Sequence, residues 1–217
     1  MFWDRISGVY DLFGNVYNGK VNRKLCTLIS ESIYQSDVVL ECACGTGMIS
    51  EAIAPVCKSL TATDFSEGML KRAKKKCRAF SNVTFQKADI TSLDYADESF
   101  DTVVAANVIH LLDQPYQALA ELNRVCKEGG KLIIPTYVNK EKTGKTGGRL
   151  IIPTYVNREK TGKTGGVVKA IGKVGADFKQ QFTYSNYRAF FEKAGYRNIE
   201  TELIRGRVPC AVAIITK

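Results

Sequence analysis

The sequence predicts an α/β domain built on a doubly wound, mostly parallel seven-stranded sheet with an antiparallel last strand. Three observations carry that reading. From Val38 to about residue 138, short apolar runs rich in β-branched residues alternate with helical patterns, the signature of parallel strands joined by helices. The first run, Val38-Val39-Leu40-Glu41-Cys42, leads into Ala43-Cys44-Gly45-Thr46-Gly47 and a helical pattern, so a strand ends in a glycine turn that opens a helix. The last two runs, over 196–204 and 209–216, follow one another with only a short turn between them, as a hairpin does.

Each element follows from its residues. Residues 1–34 read as an N-terminal helical lid, with Tyr10 and Tyr17 facing inward. Gly45 and Gly47 let the backbone turn tightly and approach a ligand, and the helix start beyond them presents unpaired N–H groups. A dinucleotide loop would place a third Gly or Ala where Ser50 stands and has no use for Glu41; a ligand with a cationic amino group does. The run 59–64 is a second strand ending in Asp64, placed to hold a ribose diol. The run 82–90 repeats the pattern with Asp89, whose carboxylate suits an adenine amino group, and 99–107 is a fourth strand ending at Asn107. A helix capped by Asp113, with Pro115 in its first turn, ends at Gly129-Gly130, and the fifth strand starts at Lys131. A final helix over 184–194 takes Thr183 or Ser185 as N-cap and Gly195 at its end.

These motifs, in this order, resemble the class I S-adenosylmethionine (SAM) dependent methyltransferases, and among them the small-molecule branch of ubiquinone/menaquinone C-methyltransferases. The resemblance rests on Glu41 with Gly45 and Gly47, Asp64 followed by Met69, the Asp89-Ile90 pair, Asn107, the block from Arg124 to Ile134, and the opening Trp3 to Asp11. It implies a Rossmann-like fold, SAM as cofactor and S-adenosylhomocysteine as product. It also implies a cofactor site drawn from Tyr10, Tyr17, Glu41, Ala43, Gly45, Gly47, Asp64, Phe65, Met69, Asp89, Ile90 and Asn107. The family has glycine where Ala43 stands, a mild change by this reading. The implied reaction is methyl transfer to an O, C, N or S nucleophile of a small molecule. His110, three residues past Asn107, is a candidate general base because its ordinary pKa lies near neutrality. The alternative is a SAM-binding protein that docks RNA or protein through a basic surface, or is catalytically silent.

Composition agrees with one domain over 1–217: 45% of the residues are hydrophobic, enough for one sizeable core. No apolar run is long enough to span a membrane and no secretory segment is visible, so a cytoplasmic protein is expected. The seven cysteines form no Cys-x-x-Cys pair and there is one histidine, which argues against zinc and against a disulfide framework. Part of the net charge of +9 comes from a tandem duplication in which 131–148 and 149–166 differ only by two Lys/Arg exchanges. The remaining cations are spread along the chain, so a solvated face is the better reading and nucleic acid an unlikely partner. Each copy reads Asn-x-x-x-x-Gly-Lys-Thr, a phosphate loop without its first glycine. Two copies of one strand sequence compete for one slot in the sheet, and copy one, which directly follows the preceding helix, is favoured for it.

Overall fold

The computed structural model describes residues 18–139 and 179–217. Seven strands form one sheet in the order β3-β2-β1-β4-β5-β7-β6. They are β1 (Val38–Cys42), β2 (Ser59–Asp64), β3 (Val83–Lys87), β4 (Phe100–Ala105), β5 (Cys126–Tyr137), β6 (Ile199–Ile204) and β7 (Cys210–Thr216). The first five pair in parallel, whereas β7 is antiparallel to both β5 and β6. The strand order reverses direction at β1 and β4, and such a switch point opens a crevice at the carboxyl ends of the strands.

Both faces of the sheet are covered, which is why the central strands are apolar without strict alternation. On one face lie α1 (residues 18–31), α2 (Met48–Ile53) and α3 (Glu67–Lys76). Leu25 and Ile29 of α1, Ile49 and Ile53 of α2, and Leu70 and Ala73 of α3 pack there against Val39, Leu60, Val104, Ile133 and Val212. On the other face α4 (Pro115–Val125) and α5 (Tyr184–Lys193) set Leu119, Leu122, Tyr187 and Phe191 against Leu40, Val103, Leu132, Ile134 and Ala213. Adjacent strand residues thus point to opposite cores, as the twofold repeat of a strand requires.

Several local expectations change. The glycines expected to cap a helix do not cap it: α4 ends at Val125 and Cys126 is already extended. Gly129 and Gly130 sit instead in an irregularity of β5, where Phe100 pairs with Cys126 but Thr102 pairs with Lys131. Gly129 takes φ +74° there, and a Cβ on Gly130 would lie 2.7 Å from the Asp101 carbonyl oxygen, so the bulge needs both glycines. Gln114, not Asp113, is the N-cap of α4, and Asp113 pairs with Lys179 at 3.1 Å. At α5 the expectation holds: Thr183 accepts from the Asn186 N–H in a capping box, and Gly195 at φ +95° follows the helix. Copy one of the duplication supplies β5, while residues 140–178, including copy two, lie outside the described residues.

Of the expected lid, residues 1–17 with Tyr10 and Tyr17 also lie outside the described residues. The described part, α1, is a layer of the core. It is fastened by Ser30 Oγ to the Ala52 carbonyl at 3.0 Å and by the Asn18 amide to Val208 at 3.0 Å.

Candidate active site

Parallel register gathers the motif residues at one edge. Cys42 pairs with Thr63 and with Ala105, and Asp64 pairs with Lys87, so the loops beginning at Ala43, Phe65, Ala88 and Ala106 all leave from the carboxyl ends of neighbouring strands. The loop after β1 needs unusual backbone. Ala43, Gly45 and Gly47 all have positive φ, at 56°, 55° and 82°. Gly47 also lets α2 and α3 touch, because a Cβ there would lie 2.9 Å from Ala73 Cα. Before Gly45 the space is open: a Cβ there would meet nothing within 4 Å. Ala43 holds this left-handed conformation as an L residue, at a cost of about 1–2 kcal/mol relative to glycine.

Asp64 fastens this loop. Its Oδ2 accepts from Gly45 N–H at 2.8 Å and its Oδ1 from Ser66 N–H at 2.9 Å. Ser66 caps α3 by accepting from Met69 N–H at 3.2 Å, and Met69 itself is buried at 3% exposure. Phe65, by contrast, is 48% exposed, with Lys87 Nζ 5.8 Å from its ring centre, and offers a flat apolar face beside Asp64. Asp89 is exposed and accepts from the backbone and hydroxyl of Thr91 through Oδ1, while Ile90 is buried next to it.

Glu41 is different. It is 1% exposed, and its Oε2 accepts from Ser50 Oγ at 2.5 Å. Burial pushes its carboxyl up to about 8, against the Ser50 hydrogen bond and with help from the Asp64 charge. The structure therefore buries Glu41 at the end of β1, two residues before Ala43, with Ser50 of α2 as its hydrogen-bond partner. Ser50, the residue that departs from the dinucleotide pattern, is its partner, a role visible in the sequence only as a hydroxyl in an apolar helix stripe.

The β4–β5 side carries the remaining candidates. Asn107 also has positive φ, at 54°, and its backbone N–H donates to the Pro135 carbonyl at 2.8 Å. Its side-chain Oδ1 is buried and accepts no hydrogen bond. His110 lies in a 3-10 turn over Ile109–Leu111, 4% exposed, with Nδ1 2.7 Å from Thr136 Oγ1 of β5. Burial pushes its imidazole down to about 4, so it is neutral at pH 7. The expected titration near 6.5 is thereby displaced. Thr136 escaped the sequence reading; its only signal is a lone hydroxyl at the end of an apolar strand.

The residues fit a cationic adenosyl ligand. An open glycine loop, the Asp64 and Asp89 carboxylates, the exposed Phe65 ring and an orphaned acceptor on Asn107 line one edge of the sheet, and Lys87 is the cation found against Phe65.

The sheet order, the loop after β1 and the acid at the end of β2 form a Rossmann-like α/β arrangement of the kind seen in solved SAM-dependent methyltransferases. Residues 40–134 match a family model described as Methyltransferase domain. In sequence the chain resembles quinone C-methyltransferases. It is 34% identical to a demethylmenaquinone methyltransferase of Renibacterium salmoninarum over 137 residues, 62% of this chain and 56% of that protein. It is 38% identical to a ubiquinone/menaquinone biosynthesis C-methyltransferase of Bdellovibrio bacteriovorus over 101 residues, 45% of this chain and 43% of that one. The chain therefore aligns with about half the length of these curated relatives. A SAM-dependent methyltransferase from Aquifex aeolicus has the same fold, with TM-score 0.61 and 17% identity over 94% of this chain and 93% of that one.

Proposed function

We propose that this protein is a SAM-dependent methyltransferase acting on a small-molecule acceptor, with a quinone-like ring as the acceptor class named by its relatives. The observation that carries the reading is the Asp64 carboxylate bonded to Gly45 N–H in front of open space, which sets an acid and a bare backbone turn where ribose and methionine parts of a cofactor would lie. When bound, SAM supplies an electrophilic methyl group on a sulfonium. The chain's own part is alignment: Asp64 and Asp89 hold the nucleoside, Phe65 packs its base, and the backbone of Ala43 to Gly47 admits the amino-acid end. Holding two reactants at near-attack distance contributes on the order of 7–11 kcal/mol. His110, neutral at pH 7, is in the right protonation state to accept a substrate proton.

Among the described residues no helix is long and apolar enough to cross a membrane. The seven cysteines are free thiols, which supports the reducing cytoplasm as the place of work. Calorimetry with SAM and S-adenosylhomocysteine, followed by methyl-donor assays on demethylated quinone analogues and other small nucleophiles, tests the reading. Binding of both ligands with turnover of at least one acceptor is expected; absence of binding to either overturns it.

A further inference from the structure

The cations of α3 are placed differently from those of α4 and α5. On α4 Arg124 Nη2 lies 2.9 Å from Glu121 Oε2, and on α5 Arg188 Nε lies 2.8 Å from Glu192 Oε1, so each is answered one turn away. On α3 Arg72, Lys75 and Lys76 stand at the same helical spacing with no acid between them. Glu67, the acid of that helix, is in its first turn and pairs with Lys87. Beyond the C-cap Cys77, Arg78 joins the three, and together they line one surface hollow of about 380 Å³, a small-molecule size. Arg72, Lys75 and Arg78 are exposed, whereas Lys76 is half-buried and its charge acts on Cys26 and Cys77 alongside that of Glu51. In sequence this run reads as a solvated face. The fold instead gathers four cations round one hollow, where like charges repel unless an anion lies between them.

We infer that this hollow is an anion site outside the crevice, for a small molecule that carries a diphosphate group. The class follows from the number and kind of the lining groups. Arg72 and Arg78 present planar forks that take phosphate oxygens in pairs, and Lys75 and Lys76 add compact point charges. Four cations are answered by two adjacent phosphates, whereas a single carboxylate leaves some of them facing one another. An extended polyanion would also call on the exposed cations of α1, Lys20, Arg23 and Lys24, and these line no part of the hollow. The site is separate from the one proposed for SAM. The N-cap of α3, Ser66, is bonded to Asp64, and Lys75 to Arg78 lie at the other end, about 15 Å of helix away. Binding there is electrostatic and breaks no bond.

The experiment is calorimetry of the whole chain with inorganic pyrophosphate and with orthophosphate, in about 0.15 M salt, where attraction beyond about 8 Å is screened. Pyrophosphate is expected to bind once per chain, equally with and without S-adenosylhomocysteine, and more tightly than orthophosphate. Arg72→Gln combined with Lys75→Gln changes exposed side chains only and is expected to weaken pyrophosphate binding about tenfold or more. Arg23→Gln combined with Lys24→Gln, on α1, is expected to leave it unchanged. Adenosine diphosphate distinguishes the sources: tighter binding than pyrophosphate assigns an organic diphosphate, and equal binding assigns the free anion. Absence of pyrophosphate binding, equal weakening by the two double variants, or displacement by S-adenosylhomocysteine overturns the inference. So does an α3 double variant that loses attachment to phosphatidylglycerol vesicles or single-stranded DNA when pyrophosphate does not bind. The methyltransferase reading stands apart, since it is tested by SAM binding.

Discussion

The β1–β2 corner of the crevice buries Glu41 and the β4–β5 corner buries His110, and the two shift in opposite directions for one reason. Burial disfavours charge, so Glu41 goes up to about 8 and His110 goes down to about 4. Both are neutral at pH 7. Their partners are alike too: each is met by one hydroxyl, Ser50 at 2.5 Å and Thr136 at 2.7 Å. The corners differ in what surrounds the pair. Around Glu41 the backbone is held by Asp64 and by three residues of positive φ, whereas near His110 the Asn107 Oδ1 has no donor. The first corner thus satisfies its polar groups with its own backbone, while among the described residues the second leaves one buried acceptor unpaired.

Linkage gives these corners opposite pH slopes. Native Glu41 holds more protons than the unfolded chain between its ordinary value of 4.5 and about 8, so its contribution is present in acid and is lost as pH rises through that window. Native His110 holds fewer between about 4 and 6.5, so its contribution is present above 6.5 and is lost as pH falls.

The largest expected effect concerns His110. If it takes the acceptor's proton, His110→Gln lowers kcat by about 10²–10⁴ while SAM affinity stays unchanged. The wild-type rate should show no acid limb from this group near 6.5, because the neutral base persists down to about 4. Stopped assays from pH 5.5 to 8 check both points. A variant that keeps the wild-type rate assigns His110 to the packing of the turn against Thr136.

Next comes the loop itself. Gly47→Ala combines left-handed strain of about 1–2 kcal/mol with a Cβ driven into Ala73, for which overpacking adds about 1–3 kcal/mol. Gly45→Ala, with the same sign of φ but no neighbour within 4 Å, should lose only the first part. Urea denaturation of the two variants separates them, and equal losses would mean that α3 yields to the extra methyl.

The glycine turn after β1 and the strand-end acids beside it were legible because they are written in backbone-determining residues. Glycines at 45 and 47 and acids at strand ends announce a turn and a ligand without knowledge of the packing. Register then follows, since parallel strands align their carboxyl ends. What stayed hidden depends on distance between segments. That Ser50 faces Glu41, that Thr136 faces His110, and that Gly129-Gly130 form a bulge instead of a cap are consequences of tertiary contact. The pKa of His110 was unreadable for the same reason, because a loop histidine shows its burial only once the sheet is built.

Asp64→Ala should weaken SAM binding by about 1.5–3 kcal/mol, the worth of a charge-assisted hydrogen bond. The variant also loses the acceptor of Gly45 N–H, so the glycine loop should loosen with it. Calorimetry gives the affinity, and amide exchange at Gly45 reports the loop. Unchanged affinity with faster exchange would leave Asp64 as a strut of the loop and not a ribose ligand.

Ala43→Gly is the smallest change and the sharpest test of how finished the β1–β2 corner is. Ala43 sits at φ 56°, where an L residue is strained by about 1–2 kcal/mol relative to glycine. Against this, glycine loosens the unfolded chain by about 0.4–1 kcal/mol. The net is a gain of about 0–1.6 kcal/mol in stability, read as a shift in the urea midpoint at constant slope. Because Ala43 stands where the resembling family has glycine, the added methyl also narrows the approach of a ligand to the backbone there. If strain alone is relieved, stability rises and SAM affinity does not move. If affinity rises as well, the methyl group of Ala43 was crowding the ligand, and the corner that looks complete without cofactor is slightly too full to receive it.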